Sequence, residues 1–150
     1  MVEIKKILFP VDLTENYTKI LPYVLSLAEK YNSQIYLLHV VENIGKWGIG
    51  YLPHTSMKKF QEEAQQGAEK ALDKICTRDM QSCPNFKRML ISGDPATEIL
   101  QIIESEEIDM VIMGTHGRKG LEHAIFGSVA DNVVKKSPVP VTVVNPHRRQ

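Results

Sequence analysis

Between Gly114 and Ser128 the chain gathers the residue types that suit a polyphosphate. Gly114 and Gly117 permit backbone conformations that a Cβ resists, and they let main-chain N–H groups come close to a ligand. Nine residues after Gly117, Gly127-Ser128 opens a segment of helical period, and the free amides of a helix start attract anions. Arg118 and Lys119 add positive charge. A helix terminus contributes only about 0.3–2 kcal/mol toward an anion, whereas micromolar binding takes about 8 kcal/mol. Most of the affinity must therefore come from a nucleobase slot, for which Val11, Val40 and Met113 stand at strand ends, with Asp12 available to ribose hydroxyls. Each of these residues also has a plainer reading. Ser128 with Asp131 resembles a capping box, the three apolar residues suit an ordinary core, and Asp12 suits a turn after Pro10.

The elements that must position these residues follow from the patterning. Short apolar runs rich in β-branched residues occur at Ile4 to Phe9, Gln34 to Val41, Phe86 to Ile91, Met110 to Met113 and Val139 to Val144. Lys87 and Arg88 place the third of these nearer a sheet edge. Helical period covers Tyr17 to Tyr31, a long stripe through Met57, Phe60, Ala64, Ala68, Ala71, Leu72 and Ile75, then Ala96 to Ile103 and Val129 to Lys136. Pro22 predicts a kink or a late start in the first helix. This βα alternation predicts a single α/β domain over residues 1–150, an open, mostly parallel five-stranded sheet with helices on both faces. Ligands of such sheets bind beyond the carboxyl ends of the strands. Residues Glu42 to His54, with three glycines around Trp47, form a long connection that reads as a lid or a surface insertion.

Composition narrows the function classes. Hydrophobic residues make up 43% and charged residues 24%, enough to build a core. Eighteen basic residues balance eighteen acidic ones, so no bulk charge favours nucleic acid or an anionic membrane. No apolar run approaches the roughly 20 residues of a membrane span, and the N-terminus lacks a signal-peptide pattern. A cytoplasmic protein is the expectation. Cys76 and Cys83 do not have metal-ligand spacing and read as inert thiols; no metal ligand set is expected. His39, inside an apolar strand, reads as a satisfied core histidine, while His116 suits either a phosphate or a turn. Neither a Walker A loop nor Gly-x-Gly-x-x-Gly is present, and no serine lies in Gly-x-Ser-x-Gly. A phosphoacceptor receiver domain is set aside because Ser92-Gly93 and Asn145 stand where its chemistry needs an aspartate and a lysine.

Gly114-x-x-Gly117, nine residues, then Gly127-Ser128 resembles the nucleotide-binding signature of the universal stress protein family. The segments Lys5 to Asp12, Leu37 to Val40, Gly93-Asp94-Pro95 and Pro138 to Val141 are similar to that family too, so the resemblance spans essentially the whole chain. It implies a Rossmann-like fold of the adenine nucleotide alpha hydrolase type that binds ATP with magnesium. By matching position, Pro10, Val11, Asp12 and Val40 would contact adenine and ribose. Met113, Gly114, His116, Gly117 and Arg118 would wrap the phosphates from one side, and Gly127, Ser128 and Val129 from the other. The resemblance further implies a homodimer through the last strand, with Val139, Val141 and Val143 as interface residues, acting as a nucleotide-dependent regulator in stress responses with no catalytic residues assigned. Two other functions stay open at this point: slow ATP hydrolysis helped by Arg118 and Lys119, and a nucleotide-free interaction module of the same fold. The protein partner is not legible in the sequence.

Overall fold

The computed structural model describes residues 1–43, 54–81, 83, 85–115 and 127–147. Among these residues five strands and four helices alternate: β1 (Lys6–Pro10), α1 (Tyr17–Tyr31), β2 (Gln34–Glu42), α2 (His54–Asp79), β3 (Phe86–Gly93), α3 (Pro95–Ser105), β4 (Met110–Gly114), α4 (Ser128–Lys136) and β5 (Val141–Val144). The strands form one parallel sheet in the order β3-β2-β1-β4-β5. The expected α/β class and five-stranded sheet are what the structure shows. The charged strand β3 does lie at an edge, where Lys87 reaches Glu106 at 3.1 Å and Arg88 reaches Asp73 at 2.8 Å.

Each face of the sheet builds its own apolar layer, because side chains alternate along a strand. Ile7, Phe9, Ile35, Leu37 and Ile112 pack with α1 and α2. Leu8, Leu38, Val40, Val111 and Met113 pack with α3 and α4. Ile7, Leu8 and Phe9 are wholly buried, as expected for the central strand of a sheet covered on both sides.

Where strands start later than the apolar pattern suggests, a competing hydrogen bond explains it. The Lys5 and Lys6 N–H groups both donate to Asp109 Oδ2, at 2.8 and 2.9 Å, so the first strand begins at Lys6 rather than Ile4. Before β5, the Val139 N–H turns back onto Ser137 Oγ at 3.1 Å, and Pro138 and Pro140 have no N–H to offer. The strand therefore begins at Val141 rather than Val139.

Helix α1 spans Tyr17–Tyr31 with Pro22 inside it, so the expected late start is not seen. Thr18 and Pro22 both lie on the exposed side of the helix, so the Thr18 carbonyl, which Pro22 cannot serve, is left near water. Helix α2 corrects the long apolar stripe. Ala68, Leu72 and Ile75 are buried, but Phe60 is 51% exposed. At about 1.5 Å per residue a 26-residue helix is longer than the strands it covers, and its first turns pass beyond the sheet.

The Tyr17 hydroxyl donates to Asp79 Oδ2 at 2.6 Å and ties the start of α1 to the end of α2. Withdrawal from water, then that hydrogen bond, push the phenol from 10.0 up to about 12. The folded state favours the neutral phenol, so this contribution is complete below pH 10.0 and fades as the pH rises toward about 12. Tyr17→Phe should lower stability near neutral pH by about 1 kcal/mol. Urea melts of both proteins at neutral and strongly alkaline pH should show that difference shrinking. A difference that stays constant would remove the linkage.

Candidate functional site

The sheet reverses its strand order between β1 and β4, and the candidate site lies at the carboxyl edge of that point. Strand β1 stops early. Pro10 stands level with Leu38, yet β2 runs on to Glu42. On the other side Leu8 pairs with Val111, which sets Pro10 level with Met113 while β4 continues to Gly114. The result is a notch over the end of β1 between two longer strands.

Strand alternation puts Pro10 on the same face as Leu8, where Val40 and Met113 also lie. That is the face covered by α3 and α4. Val11 faces the other layer, with α1 and α2. The structure thus brings Pro10, Val40 and Met113 together and separates Val11 from them, so one slot formed by the Val11, Val40 and Met113 side chains is not what the fold builds. Val11 borders the notch through its backbone, with its N–H donating to the Leu38 carbonyl at 2.8 Å.

Asp12 follows as a turn residue. Its Oδ1 accepts from the Thr14 N–H at 3.0 Å and from Thr14 Oγ1 at 2.7 Å, which leaves Oδ2 outside that turn. The Asn16 N–H donates in turn to Thr14 Oγ1 at 3.3 Å, so this chain of contacts leads into α1, whose N-cap side chain makes no capping bond. Leu13, between Asp12 and Thr14, has φ +65, a left-handed backbone that leucine seldom adopts.

Helix α4 begins beside the end of β4. The Gly127 N–H donates to the Thr115 carbonyl, and the Thr115 N–H donates to the Val144 carbonyl at 3.0 Å. Gly127, with φ −65 and ψ 158, is the N-cap, and no side chain caps the helix. This corrects the capping-box reading. Ser128 is already the first helical residue and is exposed, while Asp131 pairs with Lys135 at 3.0 Å. The first bond within the helix runs from the Asp131 N–H to the Gly127 carbonyl at 2.9 Å. The N–H groups of Ser128, Val129 and Ala130 therefore have no acceptor inside the helix. They lie close to where β4 ends and can receive an anion.

His116, Gly117 and Arg118 lie outside the described residues, as do Lys119 and most of Glu42 to His54. Val141 and Val143 pack partly buried on the α3/α4 layer, joined by Val139, while the outer backbone edge of β5 pairs with no strand among the described residues. Cys76 and Cys83 are free thiols, and burial pushes the Cys76 thiol up, in keeping with an inert role. A cavity of about 840 Å³ lies elsewhere, between α1 and β5, lined by Thr18, Lys19, Tyr23, Thr115, Thr142 and Val144 among others. Pro10, Asp12, Val40, Gly127 and Ser128 take no part in it.

His39 is a feature whose role the sequence pattern did not reveal. It is satisfied, as expected, but its partner is Val11: His39 Nδ1 lies 2.6 Å from the Val11 carbonyl. A carbonyl only accepts, so Nδ1 carries the hydrogen. The one signal available was a polar side chain in step with Leu37 on an otherwise apolar strand.

Comparison with known proteins agrees with this architecture. Residues 3–145 match the model of the Universal stress protein family. Universal stress protein MJ0577 of Methanocaldococcus jannaschii is 32% identical over 152 aligned positions, covering 93% of this chain and 94% of that protein. The solved structure of MJ0577 superposes with a TM-score of 0.83 at 30% identity over 99% of both chains. Universal stress protein UspA from Lactobacillus plantarum gives a TM-score of 0.81 at 21% identity, over 97% of this chain and 100% of that one. A universal stress protein family protein from Arabidopsis thaliana, solved with AMP bound, gives 0.64 at 17% identity over 94% and 91%. These last two are likenesses of fold.

Proposed function

Because the chain belongs to the universal stress protein family, we propose that it binds an adenine nucleotide, ATP, in the notch over β1, and acts as a cytoplasmic, nucleotide-dependent regulatory dimer in stress responses. The observation that carries this reading is the juxtaposition at the switch point. Pro10, Val40 and Met113, apolar residues at the carboxyl ends of three adjacent strands, lie on the same side of the sheet as the uncapped start of α4. In this reading adenine lies at the ends of these strands, Asp12 Oδ2 meets the ribose hydroxyls, and the Ser128, Val129 and Ala130 amides take phosphate oxygens. Gly114, His116, Gly117 and Arg118 complete the phosphate side. The likeness of fold to an Arabidopsis protein solved with AMP supports the nucleotide class.

Among the described residues no group of three or more His, Cys, Asp or Glu side chains could hold a metal ion. Magnesium enters this reading as the ion carried by the triphosphate. No helix among the described residues is long and apolar enough to cross a membrane. The dimer in this reading forms through β5, a four-residue edge strand whose outer edge pairs with no strand among the described residues.

The test is direct. The purified chain is denatured, any released nucleotide is identified by chromatography, and the stripped protein is titrated with Mg-ATP while light scattering reads its mass. ATP in the extract or low-micromolar binding, on a particle of twice the chain mass, is the expected result. No nucleotide and no binding would overturn the reading, and a monomer would remove its dimer clause.

A further inference from the structure

The peptide groups around Val11 are held from two directions. The Val11 N–H donates to the Leu38 carbonyl at 2.8 Å, and the Val11 carbonyl accepts from His39 Nδ1 at 2.6 Å. Immediately beyond, Asp12 closes its turn on Thr14 and Leu13 adopts its left-handed φ of +65. A conformation of that kind persists only where the surroundings over-determine it. The β2 strand supplies two such restraints from consecutive residues, one through backbone and one through a side chain.

His39 does not itself line the notch. Strand alternation places it with Leu37 on the α1/α2 side, opposite Val40 and Met113. An apolar residue there would suit the apolar strand but would leave a part-buried carbonyl without this donor, at a cost in stability. We propose that His39 is a positioning residue of the nucleotide site: by donating from Nδ1 to the Val11 carbonyl it fixes the corner between β1 and α1, and so sets where Asp12 meets the nucleoside. This rests on the reading of Val11 and Asp12 as nucleotide contacts.

Three substitutions separate this role from simple packing. In His39→Asn the amide Nδ2 stands as many bonds from the backbone as the imidazole Nδ1, whereas the amide of His39→Gln lies one bond farther out. His39→Leu should speed exchange of the Val11 and Thr14 amides about tenfold and weaken Mg-ATP binding about tenfold, because one part-buried acceptor loses its donor. Amides of α3 should keep their rates. His39→Asn should restore both readouts and His39→Gln neither. Thermal melts establish which variants fold, and should His39→Leu fail to fold, the Asn and Gln pair decides alone.

Wild-type exchange rates at Val11 and Thr14 in the Leu variant, or Asn and Gln variants that behave alike, would overturn the His39 role while leaving nucleotide binding in place. A wild-type chain that takes up no Mg-ATP would instead remove the nucleotide reading, and with it the part of His39 in that site.

Discussion

Phe9→Ala should cost about 3–5 kcal/mol of folding stability, the usual range for removing a buried aromatic ring. Phe9 is wholly buried at the centre of the sheet and packs on the α1/α2 layer one residue before Pro10. Its neighbours on β2 and β4 are held in register by backbone pairing, so they cannot close around the void. Single domains have only about 5–15 kcal/mol in total, and with a urea dependence near 2 kcal/mol per molar the midpoint should fall by about 2 M. Phe60→Ala removes the same ring from an exposed position, and a change within about 0.5 kcal/mol is expected there. Equal losses at the two positions would contradict the layer assignment.

Ser128→Asp should move stability and binding in opposite directions. Ser128 is exposed and is the first residue of α4, a helix without a side-chain cap. A carboxylate there complements the helix dipole and should stabilise the chain by about 0.3–1 kcal/mol. The same carboxylate occupies the place assigned to phosphate. Two like charges about 4 Å apart repel by about 4 kcal/mol at an effective dielectric of 20, so Mg-ATP affinity should fall at least about a hundredfold. Thermal melts and calorimetric titration read the two effects on one preparation. A variant that is no less stable yet binds Mg-ATP as the wild type does would place the phosphates away from α4.

The fold was legible where periodicity and burial coincide. Continuous apolar runs at Gln34 to Val41 and Met110 to Met113 identified strands covered on both faces, and Lys87 with Arg88 marked an edge. Boundaries failed where a distant group competed for backbone hydrogens, as Asp109 does at Lys5 and Lys6. The stripe on α2 misled at Phe60 because period reports a helix face and not how far the sheet beneath it extends.

The site was legible as a set of residues and not as a shape. Val11, Val40 and Met113 all follow or end strands, but which face each one takes depends on its position along its own strand. That register is set by tertiary pairing. Ser128 and Asp131 carry the composition of a capping box, yet Gly127 takes the cap because its own N–H is engaged by Thr115. The contact between His39 and Val11 joins residues 28 apart and leaves no local trace.

The bond between Gly127 and Thr115 also bears on how this protein can be altered. It holds Gly127 directly against Thr115, so the start of α4 is fixed at the end of β4 by a bond between described residues. Closing a longer connection between fixed ends is entropically mild, about 0.6 kcal/mol for each doubling of length. A change in the length of chain that joins Thr115 to Gly127 should therefore cost the fold little. Chains with insertions at that point should keep the sheet, both apolar layers and the start of α4, and circular dichroism with urea melts would read this.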